Sequence, residues 1–139
     1  MSIYKIINSE VANLYKNSTF KSEITSQALM WEKVEVIKSV NNWFKIKQFD
    51  NYVSYVYKDC LIDITSFHDN LLNSKAKWFF VKDRLVEVNS LNGNSKKILS
   101  FGTMIPILEK YDENNYLVLL PNELKYIINM KSLFSSNLN

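Results

Sequence analysis

Glu32-Lys33-Val34-Glu35-Val36-Ile37-Lys38-Ser39-Val40-Asn41-Asn42-Trp43-Phe44-Lys45-Ile46-Lys47 alternates apolar with charged residues on both sides of an Asn-Asn pair. A period of two places every second side chain on one face of an extended chain. Lys33 to Lys38 and Trp43 to Lys47 therefore read as half-buried strands joined at Asn41-Asn42. Working outward, β-branched and aromatic runs recur at Tyr52 to Tyr57, Trp78 to Val88, Met104 to Leu108, Tyr116 to Leu120 and Lys125 to Ile128. Asparagine-rich breaks separate them, which predicts an all-β chain of short strands.

Only Gly93 and Gly102 are available for tight turns. Asn41-Asn42, Asp50-Asn51, Asn92-Gly93-Asn94 and Asn114-Asn115 take that work, because asparagine tolerates the left-handed region and bonds to nearby backbone. Laying Val34-Glu35-Val36-Ile37 on Ile105-Pro106-Ile107-Leu108, Trp43 to Ile46 on Tyr116 to Leu119, and Tyr55-Val56 on Tyr126-Ile127 exposes a weak repeat at an offset of roughly seventy residues. Two copies of one small β unit fit the length of 139 residues, with domains expected at 1–75 and 76–139. The break falls at Asn70 to Lys77, where Asn, Ser and Lys concentrate, and His68 to Leu72 reads as one helical turn beside it.

Composition narrows the function. Seventeen basic against fourteen acidic residues leave a formal charge of +3, too small for a nucleic-acid or anionic-membrane footprint. Arg84 is the sole arginine, so bidentate reading of guanine edges or phosphates is limited to one position. A single cysteine, Cys60, and a single histidine, His68, rule out a disulfide within the chain and a conventional zinc site. No metal and no cofactor is expected, since Gly93 and Gly102 fit neither a P-loop nor a dinucleotide fingerprint. The start, Met1 to Glu10, shows a short apolar stretch interrupted by Lys5 and no signal-peptide pattern, and a cytoplasmic location is the expectation.

Cys60, His68 and Asp63 or Asp69 supply the residue types of a cysteine nucleophile, base and orienting acid. They lie within ten residues of one another, Cys60 sits in an apolar context, and a packed thiol beside an ordinary histidine is the plainer reading. The aromatics around one hairpin, Trp43, Tyr52, Tyr55 and Tyr57, are the better candidates for a site. Tyr55 and Tyr57 share strand parity, with Trp43 and Val56 turned inward; Trp43 and Tyr55 read equally as core.

Three stretches carry a resemblance: Val11-Ala12-Asn13-Leu14, then Ser18 to Leu29 with its Thr25-Ser26-Gln27-Ala28-Leu29, then Glu32 to Ile37. With Trp43-Phe44-Lys45-Ile46 and Asp50-Asn51-Tyr52-Val53-Ser54-Tyr55-Val56 following, they resemble the first bacterial SH3-like domain of NlpC-type cell-wall cysteine peptidases, the gamma-D-glutamyl-L-diamino acid endopeptidase group. Both glycines of that group's last motif are replaced here, by Asn51 and Ser54. Trp78 to Phe134 looks like a second, divergent copy. The resemblance implies two small SH3-like β-barrels in tandem, which in such enzymes precede a papain-like catalytic domain.

Cys60 does not match that domain's motif, so the resemblance implies a non-catalytic part, and the chain stands as an enzyme only as a piece of a longer peptidase. It further implies recognition of a murein stem peptide, with Tyr52 at the peptide's amino end and Asn17 where the family often has an acidic residue. Trp43 and Tyr55 complete the expected ligand-binding set. The alternative is a protein-interaction module that receives proline-rich or extended peptides on Trp43, Tyr52 and Tyr55. A barrel for RNA or single-stranded DNA, using Lys45, Lys47 and Lys58, ranks last because the lysines are dispersed.

Overall fold

The computed structural model describes residues 2–135; the outer ends of the two expected domains, Met1 and 136–139, lie outside the described residues. The first unit is built from β1 (Ile3–Ile7), β2 (Val11–Tyr15), β3 (Ile24–Leu29), β4 (Lys33–Val40), β5 (Trp43–Lys47), β6 (Val53–Tyr57) and β7 (Leu61–Asp63). The second starts with a short helix, α1 (Ser66–Leu72), and continues with β8 (Lys77–Val81), β9 (Leu85–Ser90), β10 (Lys96–Ser100), β11 (Met104–Lys110), β12 (Asn115–Leu119), β13 (Lys125–Asn129) and β14 (Leu133–Ser135). A one-turn 3-10 segment precedes the last strand of each, Lys58–Cys60 and Met130–Ser132.

The sheet orders are β3-β2-β6-β5-β4-β1-β7 and β10-β9-β13-β12-β11-β8-β14, so the second repeats the first strand for strand. Two SH3-like β-barrels in tandem is the architecture. The register refines the repeat. Asn115 opposes Asn129 as Trp43 opposes Tyr57, an offset of 72 residues for both partners. Trp43 therefore corresponds to Asn115, and Tyr55-Val56 to Ile127-Ile128, one residue away from the alignment that sequence alone suggests. A one-residue slip exchanges the faces of a strand. Tyr126 is accordingly fully buried, where Tyr55 is only half-buried.

The core of the first unit consists of Ile7, Ala12, Leu14, Ala28, Val34, Ile46, Val56 and Leu61, with Val36, Phe44 and Cys60 packed against it. Each fully buried aliphatic side chain contributes about 1.5–3 kcal/mol. Val81, Val88, Leu99, Ile105, Val118, Tyr126 and Ile128 are buried in the second. Tyr126 keeps its hydroxyl bonded there, to Ser95 Oγ at 2.7 Å and to the Asn122 amide at 3.0 Å.

Asparagine does replace glycine at turns: Asn41 and Asn51 have φ of 56° and 68°. Trp31 at 77° is a further left-handed residue that no turn signal announces, whereas Glu123 at 70° follows the turn formers Pro121-Asn122. The division falls between Ile64 and Thr65, so Asn70 to Lys77 belongs with the second unit. His68 ties it there. Its Nδ1 accepts from the Thr65 N–H at 3.0 Å, and its Nε2–H donates to the Pro121 carbonyl at 2.9 Å. The expected run Trp78 to Val88 is two strands, broken at Lys82-Asp83-Arg84.

Candidate functional site

Across the β5–β6 hairpin, directly opposed residues share a face. Phe44 with Val56 and Ile46 with Ser54 face the core. Trp43 with Tyr57, Lys45 with Tyr55 and Lys47 with Val53 face the other way. Trp43 thus lies with Tyr55 and Tyr57 and not, as the sequence suggests, with Val56. It is nevertheless only 7% exposed. What covers it is an aromatic cluster on the outer face of the sheet.

That cluster is assembled by the loop 16–23 between β2 and β3. Tyr15 ends β2 opposite Tyr55 and sets its ring 5.3 Å from that of Trp43. Phe20, from the loop, lies 4.7 Å from Trp43, 4.9 Å from Tyr57 and 5.8 Å from Tyr15. Trp43 and Tyr57 meet edge to face at 5.5 Å. Such ring pairs add about 0.5–1.5 kcal/mol each beyond their buried area. Phe20 itself remains 61% exposed, so an apolar ring caps the cluster and faces solvent.

Asn17 is exposed on this same loop. Its N–H donates to Ser22 Oγ and its carbonyl accepts from the Thr19 N–H, both at 2.9 Å. Among the described residues its side-chain amide makes no hydrogen bond, which leaves it available to a ligand. Tyr52 sits in the turn between β5 and β6, 39% exposed, with its N–H on Asp50 Oδ1 at 3.1 Å. Trp43 and Tyr52 stand at opposite ends of the hairpin, roughly 17 Å apart at the rise of a strand. One compact aromatic pocket from Trp43, Tyr52 and Tyr55 is therefore not formed. Tyr15 and Phe20 were missed by sequence because they are distant along the chain and only the β2–β6 bridge brings them over.

The second unit lacks this cluster. By register the positions of Trp43, Tyr57 and Tyr15 are held by Asn115, Asn129 and Asn89, and the loop over them shortens to 91–95. Asn115 instead donates to the Asp112 carboxylate at 3.0 Å, and Asn129 accepts from the Lys131 N–H at 2.8 Å.

The cysteine–histidine reading does not survive the geometry. Cys60 packs against the first core, Asp63 pairs with Lys5, and both ring nitrogens of His68 are engaged. Near the first barrel's turn, burial pushes the Glu32 carboxyl above its ordinary range; a 3.4 Å bond from Gln48 Nε2 opposes the shift. Among the described residues no cluster of three His, Cys, Asp or Glu suited to a metal occurs, and no helix is long and apolar enough to cross a membrane.

A sheet of this order, closed by a 3-10 turn and overhung by a long first loop, defines an SH3-like domain. Residues 10–62 match the bacterial SH3 domain family, and the first unit is a bacterial SH3 domain. The chain as a whole is similar in fold to an NlpC/P60 family protein from Bacillus cereus ATCC 10987, with a TM-score of 0.81 at 16% identity, over 95% of this chain and 56% of that one. The chain thus spans little more than half the length of that protein. NlpC2 and NlpC1 from Trichomonas vaginalis align over 100% and 96% of the chain and 51% and 45% of their own, at 11% and 12% identity and TM-scores of 0.40 and 0.41. No curated protein matches the sequence.

Proposed function

We propose that the chain is a non-catalytic, peptidoglycan-associated recognition module whose first barrel binds a murein stem peptide beneath the 16–23 loop. The observation that carries the reading is the aromatic cluster of Tyr15, Phe20, Trp43 and Tyr57 on the outer face, capped by the exposed ring of Phe20. Aromatic surface with polar groups at its edge is how peptide sites combine affinity with orientation. The amide of Asn17 supplies an acceptor for the peptide's ammonium, and the chain leaving β2 at Tyr15 runs antiparallel to β6, towards its Tyr52 end. A papain-like catalytic domain is the natural partner, since the Bacillus cereus protein of this fold is an NlpC/P60 family member nearly twice as long.

The test is titration of the tripeptide L-Ala-gamma-D-Glu-diamino acid into the labelled chain. Amide shifts confined to 15–22, Trp43, Tyr52 and Tyr57 are expected; absence of shifts at millimolar peptide overturns the proposal. The same face also suits an extended or proline-rich peptide, and the specific observation favouring that reading is the exposed Phe20 ring tilted against Trp43 and Tyr57 at the loop edge. Shifts with a proline-rich peptide and none with the tripeptide select it.

A further inference from the structure

The two barrels differ at a second place, the end of the sheet where the first strand crosses the fourth. In the first unit Lys5 stands opposite Val34 and Asp63; its ammonium pairs with Asp63 and lies 5.3 Å from the centroid of the Phe44 ring. The corresponding position of the second unit, opposite Ile105 and Ser135, is Phe79, and Phe44 is replaced by Tyr116. An ammonium over a ring has become a ring against a ring: Phe79 and Tyr116 meet edge to face at 5.6 Å.

Around this pair lies a cavity of about 410 Å³, lined by Lys75, Ala76, Lys77, Phe79, Ile107, Leu108, Glu109, Lys110 and Tyr116. Its volume is in the range of small-molecule sites, and barrel mouths are among the places where such sites occur. Phe79 and Ile107 point to the same side of the sheet as the buried Ile105, so the cavity continues the inner face outward. Its rim is basic. Lys75, Lys77 and Lys110 oppose one lining carboxylate, Glu109, with Asp112 in electrostatic reach of Lys110. Among the described residues none of these lysines takes part in an ion pair of the kind formed by Lys5, Lys47 and Lys96.

We propose that this mouth of the second barrel is a binding site for a small organic monoanion with a flat apolar body, of the aryl carboxylate or sulfonate class. The Phe79–Tyr116 floor takes the body, and the lysine rim takes the charge. The single net positive charge of the surroundings matches a monoanion rather than a polyphosphate. The site is independent of the peptide reading, because it uses none of the residues of the first barrel.

The experiment uses 8-anilinonaphthalene-1-sulfonate as probe and the uncharged N-phenyl-1-naphthylamine as its control, on the folded full chain. Fluorescence titration should show saturable one-site binding of the sulfonate, weaker binding of the neutral amine, and loss of affinity with added salt. Lys77→Met and Lys110→Met, both exposed, should each weaken the sulfonate about two- to fivefold, the range of a solvent-exposed charge pair. Lys38→Met should leave it unchanged, and amide shifts should map to Lys77, Phe79, Leu108 and Tyr116. Equal binding of the two probes, unchanged affinity in both lysine variants, or shifts mapping elsewhere would each overturn the assignment.

Discussion

Trp31 occupies at φ 77° the turn that Gly102 occupies at φ 89° in the second barrel. The backbone contacts are equivalent: the Trp31 N–H donates to the Ile7 carbonyl at 2.9 Å, and the Gly102 N–H to the Val81 carbonyl at 2.8 Å. A bulky residue in the left-handed region costs about 1–3 kcal/mol. The first barrel retains it because the indole is buried. Truncating a buried Trp costs about 3–5 kcal/mol, more than the strain relieved. Trp31→Gly is therefore expected to lower stability by about 2–4 kcal/mol in denaturant melts. Gly102→Ala, which adds the strain without an indole to bury, should lower it by about 1–2 kcal/mol; a neutral Gly102→Ala would show that the turn relaxes.

Ser54 faces the first core opposite Ile46, and its hydroxyl has no hydrogen-bond partner among the described residues. The register equivalent is Tyr126, whose hydroxyl is bonded twice. A buried unsatisfied hydroxyl costs about 1–3 kcal/mol. Ser54→Ala should raise the urea midpoint, by about 1 kcal/mol of stability at an unchanged m-value. A loss of stability would show that the hydroxyl is satisfied in solution.

Asn17 and Tyr52 separate binding from folding. An acidic group on the 16–23 loop would add a charge-assisted bond to a peptide ammonium, so Asn17→Asp should tighten stem-peptide binding about two- to fivefold. Tyr52→Ala should weaken it while leaving the melting temperature nearly constant, since Tyr52 sits in a turn, 39% exposed and outside the core. Isothermal titration and thermal melts on the same samples distinguish the effects; a large drop in melting temperature for Tyr52→Ala would return the ring to a packing role.

Glu32 gives a pH dependence with a definite sign. Its carboxyl is held above the ordinary value of 4.5, chiefly by burial. The folded state therefore holds the proton more tightly than the unfolded state. Its stabilising contribution is complete below pH 4.5 and is lost as pH rises through the raised folded value. Glu32→Gln removes the charge, and is expected to raise the melting temperature at pH 7 and flatten its dependence above pH 4.5; an unchanged slope would place the carboxylate in water.

The hairpin of β4 and β5 was legible because each strand alternates cleanly, and the asparagine turns were legible because Asn41 and Asn51 do adopt positive φ. β1 was not, because Lys5 interrupts its apolar run, and only the tertiary pairing with Asp63 and Phe44 accommodates the ammonium. The repeat was visible but one residue out at Tyr126, since Tyr55 and Tyr126 look alike in sequence while facing opposite sides of their strands. Of the outer-face aromatic cluster, Trp43 and Tyr57 stand out in the sequence, but Tyr15 and Phe20 do not. Their role depends on a loop folding over a distant hairpin, which no local pattern encodes.

The pairing of β1 with β7, which sets Lys5 against Asp63, joins residues 58 positions apart and is repeated between β8 and β14. Each barrel is thus completed by contact between its first strand and its last. Chains dominated by such distant pairings pay the loop-closure entropy before the contacts reward it, and they fold in milliseconds to seconds. On the ribosome the first barrel cannot close until Asp63 has emerged, so a nascent chain shorter than this presents β1 paired with β4 along one edge and open along the other.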